Sequence, residues 1–195
     1  DPAFKNPSKP IGPFYTEEEA KKLSKEHHFT VKEDAGRGWR KVVPSPMPLS
    51  IIESELVEIA LGNGAIIVAG GGGGIPVYYD EYGRLVGLEA VIDKDFAAEK
   101  LAETIDADIL LILTAVENVK INFKKENEEN LKTLTADEAF KYIAKGEFAA
   151  GSMLPKIEAG ISFVSSGKNR TCIITNPENA INAINGKTGT KIIGD

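Results

Sequence analysis

The most informative stretch in this chain of 195 residues is Val91-Ile92-Asp93-Lys94-Asp95-Phe96-Ala97-Ala98. Its first residues predict the end of an apolar strand, and a helix is predicted to begin directly after it. A lysine between a strand tip and a helix N-terminus can bind phosphate, because its ammonium group and the free backbone N–H groups act together. Lys156, which follows Gly151-Ser152-Met153-Leu154-Pro155, stands in a similar setting. Two such lysines make phosphoryl transfer the leading hypothesis.

Apolar runs and amphipathic segments alternate along the chain on both sides of this stretch. Extended or buried strands are predicted at residues 65–69, 88–92, 108–114 and 170–175. A Ser or Thr followed three residues later by Glu predicts helix starts at Thr16, Ser50 and Thr135. This order of elements predicts an α/β fold, an αβα sandwich with a mainly parallel sheet.

Five consecutive glycines, Gly70 to Gly74, follow the predicted strand at residues 65–69. Glycines let the backbone approach an anion closely and expose its N–H groups, so Gly71, Gly72 and Gly73 are predicted to bind phosphate. The run is not a dinucleotide-binding motif, because residues 76–79 continue as a strand and not as a helix. A flexible turn without a ligand is the alternative.

The composition narrows the classes of function. A net charge of −6 argues against nucleic-acid binding as the main role. Cys172 is the single cysteine, so the chain can form no internal disulfide, which fits a reducing compartment. No segment is long and apolar enough to span a membrane. We therefore expect a cytoplasmic protein with an ordinary apolar core.

Five strings of sequence carry a resemblance to a known family. They are residues 6–14, 33–46, 71–77, 89–95 and 151–159. Together these strings resemble the carbamate kinases, which belong to the amino-acid kinase family, and the likeness extends over nearly the whole chain. The string Glu33-Asp34-Ala35-Gly36-Arg37-Gly38-Trp39-Arg40 is highly specific to this family.

The resemblance implies a reaction and a set of site residues. Carbamate kinases exchange a phosphoryl group between ATP plus carbamate and ADP plus carbamoyl phosphate, with Mg²⁺, and in many organisms they make ATP at the end of arginine fermentation. By resemblance, Lys94 and Lys156 contact phosphate and Asp95 organises them. Lys9 matches a lysine that is brought over the active centre. The remaining matches, on the nucleotide side, are Thr114, Ala115, Val116 and Met153, the last near the adenine end.

The resemblance also implies how the chain is divided and assembled. Residues 1–48 resemble the protruding subdomain of the family with its connections, and residues 49–195 resemble the nucleotide-binding part of the core. The N-terminal part that binds carbamate in the family is not present in this sequence. We therefore expect the 195 residues alone not to turn over carbamoyl phosphate. Family members are homodimers, and no direct protein ligand to the metal is predicted.

Two alternatives remain open from the sequence. The first is a non-catalytic nucleotide-binding or scaffold module on the same fold, which the missing N-terminal loops favour for the isolated chain. The second is another kinase of the same superfamily that acts on an amino acid or a nucleotide. The string around Trp39 argues against the second alternative. Ala115, which stands where the family usually carries glycine, affects the predicted shape of the nucleotide pocket.

Overall fold

The computed structural model describes residues 1–194, which fold as two compact units. The first unit contains residues 1–48 and 72–93. The second unit contains residues 49–71 and the chain from Lys94 onward. Each unit has its own sheet and its own helices, and each is described separately below.

The grouping of residues 72–93 differs from the sequence-based division, which assigned them to the second part of the chain. The structure packs this segment with residues 1–48. The backbone N–H of Val91 donates to the carbonyl oxygen of Pro44 at 3.0 Å. Residues 88–92, where the sequence predicted an extended run, therefore form no strand, because isolated backbone bonds to loop residues are not a ladder.

The first unit is an antiparallel sheet with one helix and one hairpin. Its elements are a 3₁₀-helix (Pro2–Phe4), β1 (Lys9–Tyr15), α1 (Glu17–His27), β2 (Thr30–Glu33), β3 (Trp39–Val43), β4 (Val77–Tyr79) and β5 (Leu85–Gly87). The sheet has the order β1-β3-β2, and β4 pairs with β5. Strand β1 contains two prolines, Pro10 and Pro13. Both prolines fit, since β1 lies at an edge of the sheet.

The second unit is a mixed α/β domain. Its elements are α2 (Ser54–Gly62), α3 (Lys94–Thr104), β6 (Ile109–Leu113), β7 (Val119–Ile121), β8 (Glu129–Leu131), β9 (Thr133–Thr135), α4 (Ala136–Ala144), α5 (Met153–Ser165), β10 (Thr171–Thr175), a 3₁₀-helix (Pro177–Asn179), α6 (Ala180–Ile184) and β11 (Thr190–Ile193). The sheet order is β6-β10-β11-β9, and β7 pairs with β8. Strands β6 and β10 are parallel, as are β11 and β9, whereas β10 and β11 are antiparallel. The predicted α/β fold with a mainly parallel sheet is confirmed.

Of the three predicted capping boxes, the structure confirms two. The side chain of Thr16 caps α1 and that of Thr135 caps α4, and in each case the backbone N–H of the threonine donates in return to the carboxylate of a glutamate three residues later. The predicted capping box at Ser50 is wrong. Helix α2 begins at Ser54, whose N–H donates to the carbonyl of Ile51, so the residues after Ser50 form a turn. Within residues 1–194 no helix has the length and apolar character that a membrane crossing requires.

The strand predicted at residues 65–69 is also wrong. This run is apolar, but no strand within residues 1–194 pairs with it. Ile66 and Val68 are 95% and 98% exposed. A strand is stable only when a neighbour satisfies its backbone groups, and composition alone cannot supply that neighbour.

Helix α5 is the most deeply buried helix element of the second unit. Ile157, Ile161 and Val164 face its core. Gly160 allows α5 to lie close to the sheet, because an added Cβ there would come within 2.7 Å of Ile192 Cδ1. This close packing fixes the helix that carries Met153 and Lys156.

Candidate active site

Lys94, Asp95 and Lys156 meet at one carboxylate oxygen in the second unit. Asp95 Oδ2 lies 2.7 Å from Lys156 Nζ and 3.5 Å from Lys94 Nζ. Helix α3 begins at Lys94, and Lys156 lies in the first turn of α5. Two lysines that the sequence placed in separate strings are therefore brought together by the packing of α3 on α5.

The two lysines differ in their access to solvent. Lys156 and Asp95 are both buried, whereas the side chain of Lys94 is 56% exposed. The buried ammonium is a fixed positive charge, and the exposed one is free to turn toward an anion. Lys94 also stands at the N-terminus of α3, where backbone N–H groups have no partner within the helix. This is an arrangement that favours a phosphate group.

Lys9 belongs to the first unit, where its ammonium contacts the carboxylate of Asp93. The side chain of Lys9 is 31% exposed. Asp93 was not predicted as a site residue, although it stands directly before Lys94 in the sequence. The structure gives each aspartate its own lysine partner: Asp93 holds Lys9, and Asp95 holds Lys156. A role for Lys9 over an active centre stays a prediction.

The glycine run forms a turn that requires glycine. Gly70 and Gly74 have φ values of 78° and 80°, in the left-handed region that side chains rarely adopt. The boundary between the two units falls inside the run, between Gly71 and Gly72. Phosphate binding by Gly71, Gly72 and Gly73 stays a prediction, which the backbone conformation permits.

A cavity of about 440 Å³ lies in the second unit. Four of its lining residues are those predicted on the nucleotide side: Thr114, Ala115, Val116 and Met153. Thr114 follows β6 directly, and its N–H donates to the carbonyl of Thr175, the last residue of β10, at 2.8 Å. The cavity therefore opens beyond the carboxyl ends of two parallel strands, where open α/β sheets bind their ligands.

The cavity also has lining residues that the sequence did not single out. Phe148 is buried, and its ring packs edge-on against Tyr142 at a centroid distance of 6.3 Å. Phe123 is an exposed part of the lining. The sequence shows only an aromatic residue in a polar segment, and without the fold this pattern does not indicate a cavity. Lys120 and Glu147 are charged lining residues that the sequence did not indicate either.

Helix α5 joins the cavity to the lysine cluster. Met153 lines the cavity, and Lys156 is three residues later on the same helix. A rise of about 1.5 Å per residue puts these two positions about one helical turn apart. The second unit thus has an apolar cavity with a positively charged centre at its side, a combination suited to a flat apolar group joined to phosphate.

Comparison with known proteins identifies the family. The profile of the amino acid kinase family matches residues 9–176. The chain belongs to the amino acid kinase family. Within this family it is 56% identical to a carbamate kinase of Clostridium perfringens over 99% of its own length, and 56% identical to carbamate kinase 2 of Staphylococcus aureus over 98%. In both cases the chain spans only 61% of the relative.

Solved structures of the amino acid kinase family agree with this assignment. A carbamate kinase of Giardia lamblia bound to citric acid superposes with a TM-score of 0.89 at 44% identity. The same enzyme bound to AMP-PNP, an ATP analogue, gives 0.86 at 45% identity. Both comparisons cover 100% of this chain and 61% of the other.

Proposed function

We propose that this chain is the nucleotide-binding part of a carbamate kinase, which transfers a phosphoryl group reversibly between ATP plus carbamate and ADP plus carbamoyl phosphate. The observation that carries the proposal is the contact of Lys94 and Lys156 with one oxygen of Asp95, one helical turn from the cavity. The names of the relatives support the same reaction. The resemblance further supports a cytoplasmic homodimer that makes ATP during arginine breakdown.

The geometry explains what each residue would do. Negative charge spreads over the oxygens of a transferring phosphoryl group, and an enzyme accelerates the transfer mainly by positioning and by neutralising that charge. Lys94, with its exposed ammonium, turns toward the phosphate, and Lys156 adds a fixed positive charge. Asp95 holds both ammonium groups in place. Carbamate is already an anion, so the transfer requires no general base.

Mg²⁺ fits this site as an ion that is bound mainly by the phosphates of the nucleotide. The ion prefers phosphate oxygens, water and one or two carboxylates, and rarely uses a cage made only of protein ligands. Within residues 1–194 no three acidic, cysteine or histidine side chains are placed to hold a metal. The donor set therefore suits an ion carried by the nucleotide phosphates with help from Asp95. When bound there, it would offset part of the phosphate charge.

The test joins this chain to the part of the Clostridium perfringens enzyme that it does not span, and measures ATP formed from ADP and carbamoyl phosphate. We expect activity in the chimera and none in the chain alone. In the chimera, Lys156→Ala should raise the barrier by about 2–4 kcal/mol per folded enzyme, as for other lost electrostatic donors. Lys168→Ala, which removes an exposed lysine, is the matched control and should leave the rate unchanged.

The same experiment separates a second candidate. The 61% coverage favours a non-catalytic nucleotide-binding module for the isolated chain. A folded chimera that binds ADP but forms no ATP would support that module and contradict the kinase. A chimera whose rate does not change in Lys156→Ala would remove Lys156 from the mechanism.

A further inference from the structure

Helices α3 and α5 carry the lysine cluster, so the alignment of these two helices determines its geometry. Asp95 lies in the first turn of α3, and Lys156 lies in the first turn of α5. Their side chains meet at 2.7 Å. A hydrogen bond weakens steeply when its length or its angle departs from the usual range, so this contact requires one particular alignment of α3 on α5.

The buried apolar side chains of α3 do little to define that alignment. The buried residues of α3 are two alanines and two carboxylates, namely Ala97, Ala102, Asp95 and Glu99. A methyl group forms only a low ridge on a helix, so alanines constrain the alignment of two packed helices less than larger side chains do. Where apolar packing leaves the register open, buried polar groups can define it.

Glu99 makes a second polar contact between the two helices. Its residue surface is 1% exposed, and its carboxylate accepts a hydrogen bond from Ser162 Oγ on α5 at 3.0 Å. Glu99 follows Asp95 by four positions, so both carboxylates lie on the same face of α3, about one turn apart. Burying a carboxylate is costly unless it is hydrogen-bonded, and here Ser162 supplies a bond.

A third polar contact lies at the far ends of the same helices. The guanidinium group of Arg170 contacts the hydroxyl of Ser166, just after α5, and donates to the carbonyl oxygen of Glu103 on α3 at 3.4 Å. The bond between Ser162 and Glu99 lies between this contact and the lysine cluster. Polar contacts at different heights fix both the sliding and the tilt of α3 on α5, and the bond to Glu99 acts nearer to the cluster.

We propose that Ser162 and Glu99 are positioning residues: their hydrogen bond sets the register of α3 on α5 and so holds Asp95 at the two lysines of the cluster. The proposal rests on the proposed function, since it takes the lysine cluster as the group that binds phosphate. It adds two residues that act through Asp95 and not through a contact with the ligand.

The first test compares ligands with and without phosphate on the 195-residue chain. Calorimetry measures MgADP, and adenosine is measured as its competitor. Ser162→Ala should raise the dissociation constant for MgADP about fivefold, the weight of one hydrogen bond, and leave that for adenosine unchanged. Ser162→Thr, which keeps the hydroxyl, and Glu99→Gln, which keeps the acceptor, should bind MgADP like the parent. Ser165→Ala, a change of an exposed serine on the same helix, is the matched control and should alter neither constant.

The second test measures the register without a nucleotide. Lys156 is buried and Lys168 is exposed, so the ratio of their acetylation rates, read by mass spectrometry, reports access to Lys156 within one sample. Ser162→Ala should raise this ratio severalfold, because a displaced α3 uncovers the ammonium group. Labelling of the buried Cys172 by a thiol reagent should stay at the parent rate. A variant that only loses stability would instead raise both rates, because the whole unit would open.

The outcomes separate the positioning role from the proposed function. An unchanged dissociation constant for MgADP in Ser162→Ala, or equal losses for MgADP and adenosine, would overturn the positioning role while leaving the proposed function intact. A parallel rise in the labelling of Lys156 and Cys172 would also overturn it, since the contact would then serve stability alone. Failure of the unmodified chain to bind MgADP would contradict the proposed function, and the acetylation ratio would still show whether Ser162 sets the register.

Discussion

Asp93 and Asp95 stand two positions apart, but they hold their lysines in different surroundings. Asp93 pairs with Lys9 in the first unit, where the lysine side chain is about one-third exposed. Asp95 pairs with Lys156 in the second unit, where both side chains are buried. A partly exposed lysine can exchange its carboxylate for water, and a buried one cannot. The difference separates an adjustable ion pair from a fixed one.

Removing each lysine in turn is the strongest test of this difference. Lys156→Met leaves the buried Asp95 without its nearest counter-charge, so the second unit should lose about 3 kcal/mol of stability. Lys9→Met should destabilise the first unit less than this, because Lys9 is itself partly exposed and its removal gives water a path to the buried Asp93. Urea unfolding measures both.

Each unit contains its own probe for this measurement. Trp39, the single tryptophan, reports on the first unit by fluorescence. Cys172, the single cysteine, is buried in the second unit, so its labelling by a thiol reagent reports the opening of that unit. Burial, with a smaller contribution from Asp95, raises the pKa of the Cys172 thiol, which keeps it unreactive in the folded state. Equal losses in the two variants would contradict the comparison.

The two lysines of Asp95 provide a second test, of smaller effect. Lys94→Ala removes the exposed ammonium and leaves the buried pair intact. Its affinity for MgADP should fall about tenfold, the weight of one charged hydrogen bond, while its stability stays within about 0.5 kcal/mol of the parent. Calorimetry at two salt concentrations checks this, since the exposed contribution should shrink at high salt. A stability loss as large as that of Lys156→Met would show that Lys94 is structural.

Glu99 extends the comparison to a buried carboxylate that is bound by a hydroxyl group. It lies one turn after Asp95 on α3 and accepts a hydrogen bond from Ser162 Oγ at 3.0 Å. Burial raises the pKa of Glu99 above 4.5, and the bond from Ser162 opposes this only in part. The folded state then holds the proton more tightly than the unfolded state. Stability of the second unit should therefore fall as pH rises from 4.5 through the raised pKa.

Glu99→Gln tests this pH dependence. Glutamine keeps an acceptor for Ser162 but has no proton to lose, so the variant should be more stable than the parent at pH 8 and similar to it near pH 4. The control is Glu126→Gln, an exposed change in the same unit, which should keep the pH dependence of the parent. Identical pH profiles for Glu99→Gln and the parent would show that Glu99 is ionised freely in the fold.

Sequence reasoning succeeded where the signal is local. The capping boxes at Thr16 and Thr135 depend only on hydrogen bonds between residues three positions apart. Helices α1 and α4 begin directly after these threonines. Strand β6 was predicted because five adjacent apolar residues suit a buried parallel strand. These elements depend on neighbours in the chain or on burial that the composition already indicates.

Sequence reasoning failed where a distant partner decides. The residues 65–69 have the composition of β6 but no strand to pair with in residues 1–194. The three-residue strands β8 and β9 were not predicted, because they are defined only by their pairing. Strand β8 pairs with β7, and β9 pairs with β11. In the site, the lysines were predicted from their strings, but the contact of both with one oxygen depends on how α3 packs on α5. Phe123 joins the cavity only through the fold of its loop.

The missing side chain at Gly160 has a consequence for both ends of the site. Ile192 and Cys172 lie so close to this position that a methyl group there would force a neighbouring side chain or α5 itself to move. Any displacement of α5 would move Met153 and Lys156 together, because one helix carries them. One turn of α5 therefore sets the spacing between the cavity and the lysine cluster, and the absence of a side chain at Gly160 keeps that helix in close contact with the sheet.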